Sequence, residues 1–98
     1  MDRNSTIARI RTGLKARSGK SWSVTGGTGT AYGWIRIGVT PRQAQGRPEW
    51  KAELAQLLGK DRVHSGGESI PPSNAYYQEY IDRAEGRTPI VIGTTYWD

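Results

Sequence analysis

Tyr32, Trp34 and Arg36 alternate along one predicted strand, so their side chains share one face of it. The opposite face is aliphatic, with Ile35, Ile37 and Val39. Two aromatic rings and a guanidinium on one face can stack on nucleobases and neutralise phosphate. Trp22, on the preceding predicted strand, would extend this face. The alternatives are that helices cover it, which makes the rings core, or that a bulge at Gly33 reverses the alternation.

Positive charge is concentrated in the first half of the chain. The 98 residues contain 14 Lys and Arg against 9 Asp and Glu, a formal net charge of +5. Residues 1–50 hold nine of these cations and two acids (net +7), whereas residues 51–98 hold five cations and seven acids (net −2). The asymmetry favours a polyanionic partner, although small basic domains are common. The cations predicted to contact phosphate are Arg11, Lys15, Arg17 and Lys20.

Catalytic and metal-binding patterns are weak. His64 is the sole histidine, and with Asp61 and Glu68 it could act as a base or hold a metal ion, but their spacing matches no known motif. The glycine cluster at residues 26–33 precedes a strand rather than the helix that a phosphate-binding loop requires, and the chain has no Cys. We therefore expect no catalytic, cofactor-binding or metal-binding residues, and no enzyme.

These patterns predict an α+β fold in a single domain spanning residues 1–98. We expect a small antiparallel sheet, made of a β-hairpin and a C-terminal strand, packed with three helices in the order α-β-β-α-α-β. The predicted helices run from an N-cap at Ser5 to Arg17, from Pro48 to Gly59, and from Ser73 or Asn74 to Glu85–Gly86. The predicted strands are residues 22–25, 28–39 and 89–92, with a turn at Gly26–Gly27 and loops at 40–47 and 60–72.

Two segments resemble known proteins. The segment KARSGKSWSVTGGTGTAYGWIRI resembles the core of large polyvalent protein associated domain family 29, found in multidomain proteins of phages and conjugative plasmids. The segment SIPPSNAYYQEYIDRAEGRTP, with the closing YWD, is similar to small stand-alone bacterial proteins. The likeness covers residues 15–39 and, more loosely, 62–98, and the loop at 40–47 is short for it. It implies an accessory role on mobile elements, or a host protein derived from one, and transfers no catalytic residue.

The leading interpretation is a non-enzymatic binding module that contacts nucleic acid. The alternative is a protein–protein interaction adaptor of mobile-element origin, and a weaker third interpretation is an enzyme or inhibitor that uses the His64 loop. The N-terminal segment lacks the apolar run of a signal peptide, and no segment is long enough to span a membrane. We therefore predict a cytoplasmic protein without a membrane partner. The sequence does not distinguish DNA from RNA and does not indicate the oligomeric state.

Overall fold

A computed structural model describes residues 2–89, which form four helices and one three-stranded antiparallel sheet. The elements are α1 (Arg3–Ser18), β1 (Ser23–Gly26), β2 (Ile35–Gly38), α2 (Pro41–Gly46), α3 (Trp50–Leu58), β3 (Glu68–Ile70) and α4 (Asn74–Glu85). A single 3₁₀ turn, Gly29–Ala31, lies between β1 and β2. The predicted α+β class is confirmed, with one helix more than expected.

The sheet has the order β1-β2-β3, and helices cover one of its faces. Val24 pairs with Ile37, and Ile35 pairs with Ile70, so four buried aliphatic side chains share this inner face. They pack in one core with side chains of α1, α3 and α4: Ile10, Leu14, Leu54, Leu58, Tyr77, Ile81 and Ala84. The hydrophobic layer is therefore on one side of the sheet, and the other side has no helical layer within residues 2–89.

The third strand is β3, in a segment predicted to be a loop. The predicted C-terminal strand at residues 89–92 lies outside the described residues, apart from Pro89, which is in neither a helix nor a strand. Ile70 precedes Pro71, and a residue before proline favours extended backbone. With three residues, β3 is too short for its alternation to be recognised in the sequence.

The hairpin connection is longer than the predicted Gly26–Gly27 turn. The loop comprises residues 27–34, hereafter the hairpin loop, and only Ile35–Gly38 of the predicted long strand is a β-strand. Arg3 holds the loop, because its Nη1 donates hydrogen bonds of 2.8 Å to the carbonyls of both Gly27 and Tyr32. A Cβ at Gly27 would collide with the Ala31 backbone, so the compact loop requires glycine there.

The helix boundaries follow local capping signals. α1 begins earlier than predicted, because Asp2 is the N-cap and its carboxylate accepts a 2.7 Å hydrogen bond from the Ser5 amide. The predicted boundaries of α4 are confirmed, and Gly59 ends α3 as expected. The predicted loop at 40–47 contains α2, where Thr40 and Gln43 form a reciprocal capping box. Inside α1, Gly13 permits close packing, since a Cβ there would lie 3.0 Å from the Ala84 carbonyl oxygen.

Candidate functional site

Arg36 is at the centre of the uncovered face of the sheet. Thr25 on β1 and Ser69 on β3 are its register partners, and all three side chains are exposed. We call these three residues the outer face. Among residues 2–89, Arg36 makes no ion pair. Its Cγ lies beside Gly67, the residue before β3, since a Cβ built on Gly67 would be 3.5 Å from it. The guanidinium is not neutralised within this part of the chain.

An open hollow of about 530 Å³ lies between the outer face and the hairpin loop. Its lining residues are Thr25, Gly26, Gly27, Ala31, Trp34, Ile35, Arg36 and Ser69. The volume falls within the ~300–1,000 Å³ of small-molecule sites. Trp34 contributes the only aromatic ring of the lining, and it is 43% exposed. Its backbone is fixed by a 3.0 Å hydrogen bond to the Ala31 carbonyl and a 2.8 Å bond from the Gly27 amide.

Tyr32 does not share a strand face with Trp34, because it lies in the turn of the hairpin loop. Its side chain is 60% exposed. The Arg3 guanidinium carbon stacks 3.9 Å from the centroid of the Tyr32 ring, so one face of the ring is already covered. The tertiary contact with α1 therefore assigns Tyr32 to the edge of the site rather than to the row formed by Trp34 and Arg36.

Trp22 belongs to the core, with 4% of its surface exposed. Its Nε1 donates a 3.0 Å hydrogen bond to the Ser18 hydroxyl, and the Arg47 guanidinium lies 4.2 Å from its ring centroid. The N–H and one face of the indole thus have internal partners. Trp22 does not extend the outer face, contrary to the sequence-based expectation.

Arg11 and Lys15 lie one helical turn apart on α1, on the side that faces β1. Arg11 Nη2 donates a 2.7 Å hydrogen bond to the Val24 carbonyl. Arg3 lies two helical turns before Arg11 and on the same side of the helix, and we call Arg3, Arg11 and Lys15 the basic flank. The basic flank runs along β1, which is an edge strand of the sheet. Arg36 is on the neighbouring strand, β2, and adjacent strands are about 4.8 Å apart.

Arg17 and Lys20 are engaged in contacts that hold the helices together. Arg17 Nη1 donates to three carbonyls at the ends of α3 and α4, at 2.8–3.1 Å. Lys20 Nζ pairs with Glu53 at 2.8 Å, and this hydrogen bond is the main reason that the pKa of Glu53 lies below its usual range. The structure therefore separates these two cations by role from Lys15 and Arg36, whose side chains make no hydrogen bond or ion pair within residues 2–89, whereas Arg11 is bonded to one carbonyl.

The acidic side chains are paired mainly on α3, β3 and α4. The ion pairs are Lys20–Glu53, Arg47–Glu53, Lys60–Glu68, Arg83–Glu79, Arg87–Asp82, Arg87–Glu85 and Arg9–Glu85. Within residues 2–89, the cations outside these pairs are Arg3, Arg11, Lys15, Arg17, Arg36, Arg42, Lys51 and Arg62. Half of them belong to the basic flank or the outer face, so positive charge remains uncompensated there.

The residues of the His64 loop do not converge. His64 is exposed, and its carbonyl accepts a 2.9 Å hydrogen bond from the Gly67 amide. Glu68 turns to the inner face, where the Tyr80 hydroxyl donates to its carboxylate. In the part of the chain that the structure describes, no three His, Cys, Asp or Glu side chains are grouped so that they could hold a metal ion. None of the helices in that part is both long and apolar enough to cross a membrane.

Sequence reasoning missed Arg3, Thr25 and Ser69. Arg3 reaches the hairpin loop only through tertiary packing, so no local pattern reveals its role. Thr25 and Ser69 could be found once their strands and registers are known, because each is the register partner of Arg36. The one sequence signal near Ser69 is Pro71, because the residue before a proline favours extended backbone.

Comparisons with models of protein families, with curated proteins and with solved structures give no match. The chemistry of the site therefore rests on the arrangement itself. It offers an exposed indole, a guanidinium free of acidic partners within residues 2–89, and two hydroxyls beside a basic flank. Such a surface suits a ligand with an aromatic plane and negative charge.

Proposed function

We propose that this protein is a non-enzymatic, cytoplasmic module that binds nucleic acid through the outer face and the basic flank. The observation that carries the proposal is the position of Arg36, which has no ion pair within residues 2–89 and lines the same hollow as the exposed Trp34. A phosphate supplies the missing counter-charge, and a nucleobase supplies a ring to stack on the indole. An accessory role on mobile elements, which the resemblance of residues 15–39 implies, is part of the same proposal.

The roles differ among the predicted site residues. Arg36 and Lys15 contact phosphate, and Arg11 adds positive charge at the edge of β1 while it keeps its bond to the Val24 carbonyl. Trp34 stacks on a base. Arg17, Lys20 and Trp22 support the fold, since each is committed to internal contacts. The affinity is mainly electrostatic, because phosphate contacts release counterions from the nucleic acid.

The test is fluorescence anisotropy with labelled single- and double-stranded oligonucleotides at about 50 and 200 mM salt, a range over which phosphate contacts weaken strongly. We compare the wild type with a double variant, Lys15→Glu with Arg36→Glu. Neither side chain has an ion pair within residues 2–89, so the fold should tolerate both changes. The matched control is Lys51→Glu with Arg62→Glu, which changes the net charge equally at a different surface hollow.

We expect wild-type binding that weakens with salt and a large loss of affinity in the site variant only. The slope of log affinity against log salt should fall by about 0.7 for each phosphate of a single strand that the variant no longer neutralises. Absence of binding at low salt would refute the proposal. Equal losses in the two double variants would refute the assigned surface. Capture of a specific protein partner together with no oligonucleotide binding would favour the adaptor, in which Trp34 and Arg36 serve as interface anchors.

A further inference from the structure

We infer that the nucleic acid bound at this site is single-stranded, with an unpaired base on Trp34 and a phosphate on Arg36. The inference rests on the proposed function and names its ligand class. It starts from the shape of the site. Trp34, whose side chain is 43% exposed, lines the open hollow between the hairpin loop and the outer face together with Arg36.

A duplex does not present an accessible base face to the Trp34 ring. In a duplex the base faces are stacked on neighbouring bases, and a protein reads their edges through the grooves with an inserted helix or β-ribbon. Stacking on the exposed indole needs the face of a base, which a single strand provides without the cost of unpairing. An exposed Trp34 therefore favours unpaired bases over paired ones.

The site is organised before the ligand arrives. Trp34 is held by backbone hydrogen bonds at both its amide and its carbonyl. The same loop is held by Arg3 at two carbonyls and by the Tyr77 hydroxyl, which donates to the Gly33 carbonyl. Because these contacts already fix the loop, stacking on Trp34 requires little further ordering of the protein, and such preorganisation favours affinity.

The polar groups of the outer face suit a backbone rather than one base sequence. Thr25 and Ser69 each place a hydroxyl beside Arg36, across one strand spacing. Trp34 and Arg36 are two residues apart along the chain, so their Cα atoms are at most about 7 Å apart. The ring and the cation therefore meet adjacent parts of the ligand, a base and a phosphate. A stacking ring accepts any base, so we expect weak sequence preference.

The experiment compares three labelled ligands. The first is a thymidine oligomer of about 12 nucleotides, a length within the ~4–16 nucleotides of known single-strand sites. The second is an abasic strand with the same number of phosphates, and the third is the duplex of the thymidine oligomer. The abasic strand keeps the charge and removes the rings. We expect the thymidine oligomer to bind about 5- to 150-fold more tightly than the abasic strand for one stacked base. It should also bind more tightly than the duplex.

Trp34→Ala and Trp34→Phe are the variants. Trp34→Ala should reduce binding of the thymidine oligomer to the level of the abasic strand and leave abasic binding unchanged, which shows that the charged surface is intact. Trp34→Phe should retain part of the difference in affinity between the thymidine oligomer and the abasic strand, because phenylalanine keeps an aromatic ring. Tryptophan quenching by the thymidine oligomer should be lost in both variants.

The outcomes separate this inference from the proposed function. If the abasic strand or the duplex binds as tightly as the thymidine oligomer, with normal salt dependence, the single-strand inference is wrong and nucleic-acid binding stands. If none of the three ligands binds at low salt, both are wrong. If Trp34→Ala weakens abasic binding as much as thymidine binding, stacking on Trp34 is refuted.

Discussion

The two faces of the same small sheet differ in whether a charged side chain has internal partners. Glu68 points to the inner face and is 5% exposed; the Tyr80 hydroxyl donates to its carboxylate, and Lys60 Nζ lies 3.2 Å away. Arg36, on the neighbouring strand, points to the outer face and has no ion pair within residues 2–89. Glu68 is adjacent to Ser69, the register partner of Arg36, and adjacent residues of a strand point to opposite faces of the sheet.

The contrast distinguishes a structural charge from one available to a ligand. A buried carboxylate is costly unless it is paired and hydrogen-bonded, so Glu68 requires Tyr80 and Lys60. An exposed guanidinium keeps its hydration, so it needs no internal partner and stays accessible to phosphate. Burial and the presence of internal partners, rather than charge alone, therefore indicate which of the cations and acids belong to the candidate site.

Gly67→Ala gives the largest expected effect, because Gly67 has a positive φ and lies against the backbone of β2 directly before β3. Gly67 has φ of +101°, and a Cβ there would collide with the Ile37 carbonyl oxygen. We expect a loss of about 2–5 kcal/mol in the free energy of unfolding, since positive φ costs ~1–2 kcal/mol and overpacking ~1–3 kcal/mol. Urea unfolding followed by circular dichroism measures it.

The adjacent Gly66 is the matched control for that substitution. It has a negative φ, and no atom lies within 4 Å of a Cβ built there. Gly66→Ala should change the free energy of unfolding by less than about 1 kcal/mol. Equal losses at Gly66 and Gly67 would contradict the register of β3, and with it the opposite orientations of Glu68 and Ser69.

The sequence predicts those elements whose signals are local. The predicted α4 matches the structure because Ser73 caps its start and Gly86 ends it, and Gly59 likewise ends α3. The aliphatic inner face of β2 follows from alternation alone. β3 could not be predicted, because its identity depends on pairing with β2 rather than on its three residues.

The candidate site was predicted only in part, for the same reason. Alternation correctly placed Arg36 outside and Ile35 inside, and exposed Trp34 agrees with the predicted surface. Tyr32 was assigned to the strand, although Arg3 and the 3₁₀ turn hold it in the hairpin loop. The partners of Trp22 and Arg17 come from other elements, so no local pattern could show that these side chains are occupied.

Tyr80→Phe should have an intermediate effect, because it removes a hydrogen bond from the buried Glu68. Hydrogen bonds to charged groups contribute about 1.5–3 kcal/mol to stability, and we expect a loss of that size in urea unfolding. Tyr77→Phe is the matched control on the same helix, since the Tyr77 hydroxyl donates to the neutral Gly33 carbonyl. It should cost about 0.5–1.5 kcal/mol.

The pH dependence of stability gives a second measurement for the same substitution. Burial, and then the hydrogen bond to Glu68, raises the pKa of Tyr80 above its ordinary value of 10.0. The unfolded chain therefore releases this proton at lower pH than the folded chain, and stability falls as pH rises above about 10. Tyr80→Phe should therefore lose less stability than the wild type as pH rises above about 10. A larger loss of stability in Tyr77→Phe than in Tyr80→Phe would contradict the assigned role of Glu68.

Arg36→Ala should have the smallest effect on stability, although its effect on the proposed binding should be large. Exposed substitutions without internal partners usually change the free energy of unfolding by less than about 0.5 kcal/mol. The same urea experiment tests this, with anisotropy on a single strand as the functional measurement. A loss of more than about 1 kcal/mol would show that Arg36 stabilises the sheet. Arg36 would then stabilise the fold as Glu68 and its partners do. The distinction between a structural charge and a charge available to a ligand would not hold for this sheet.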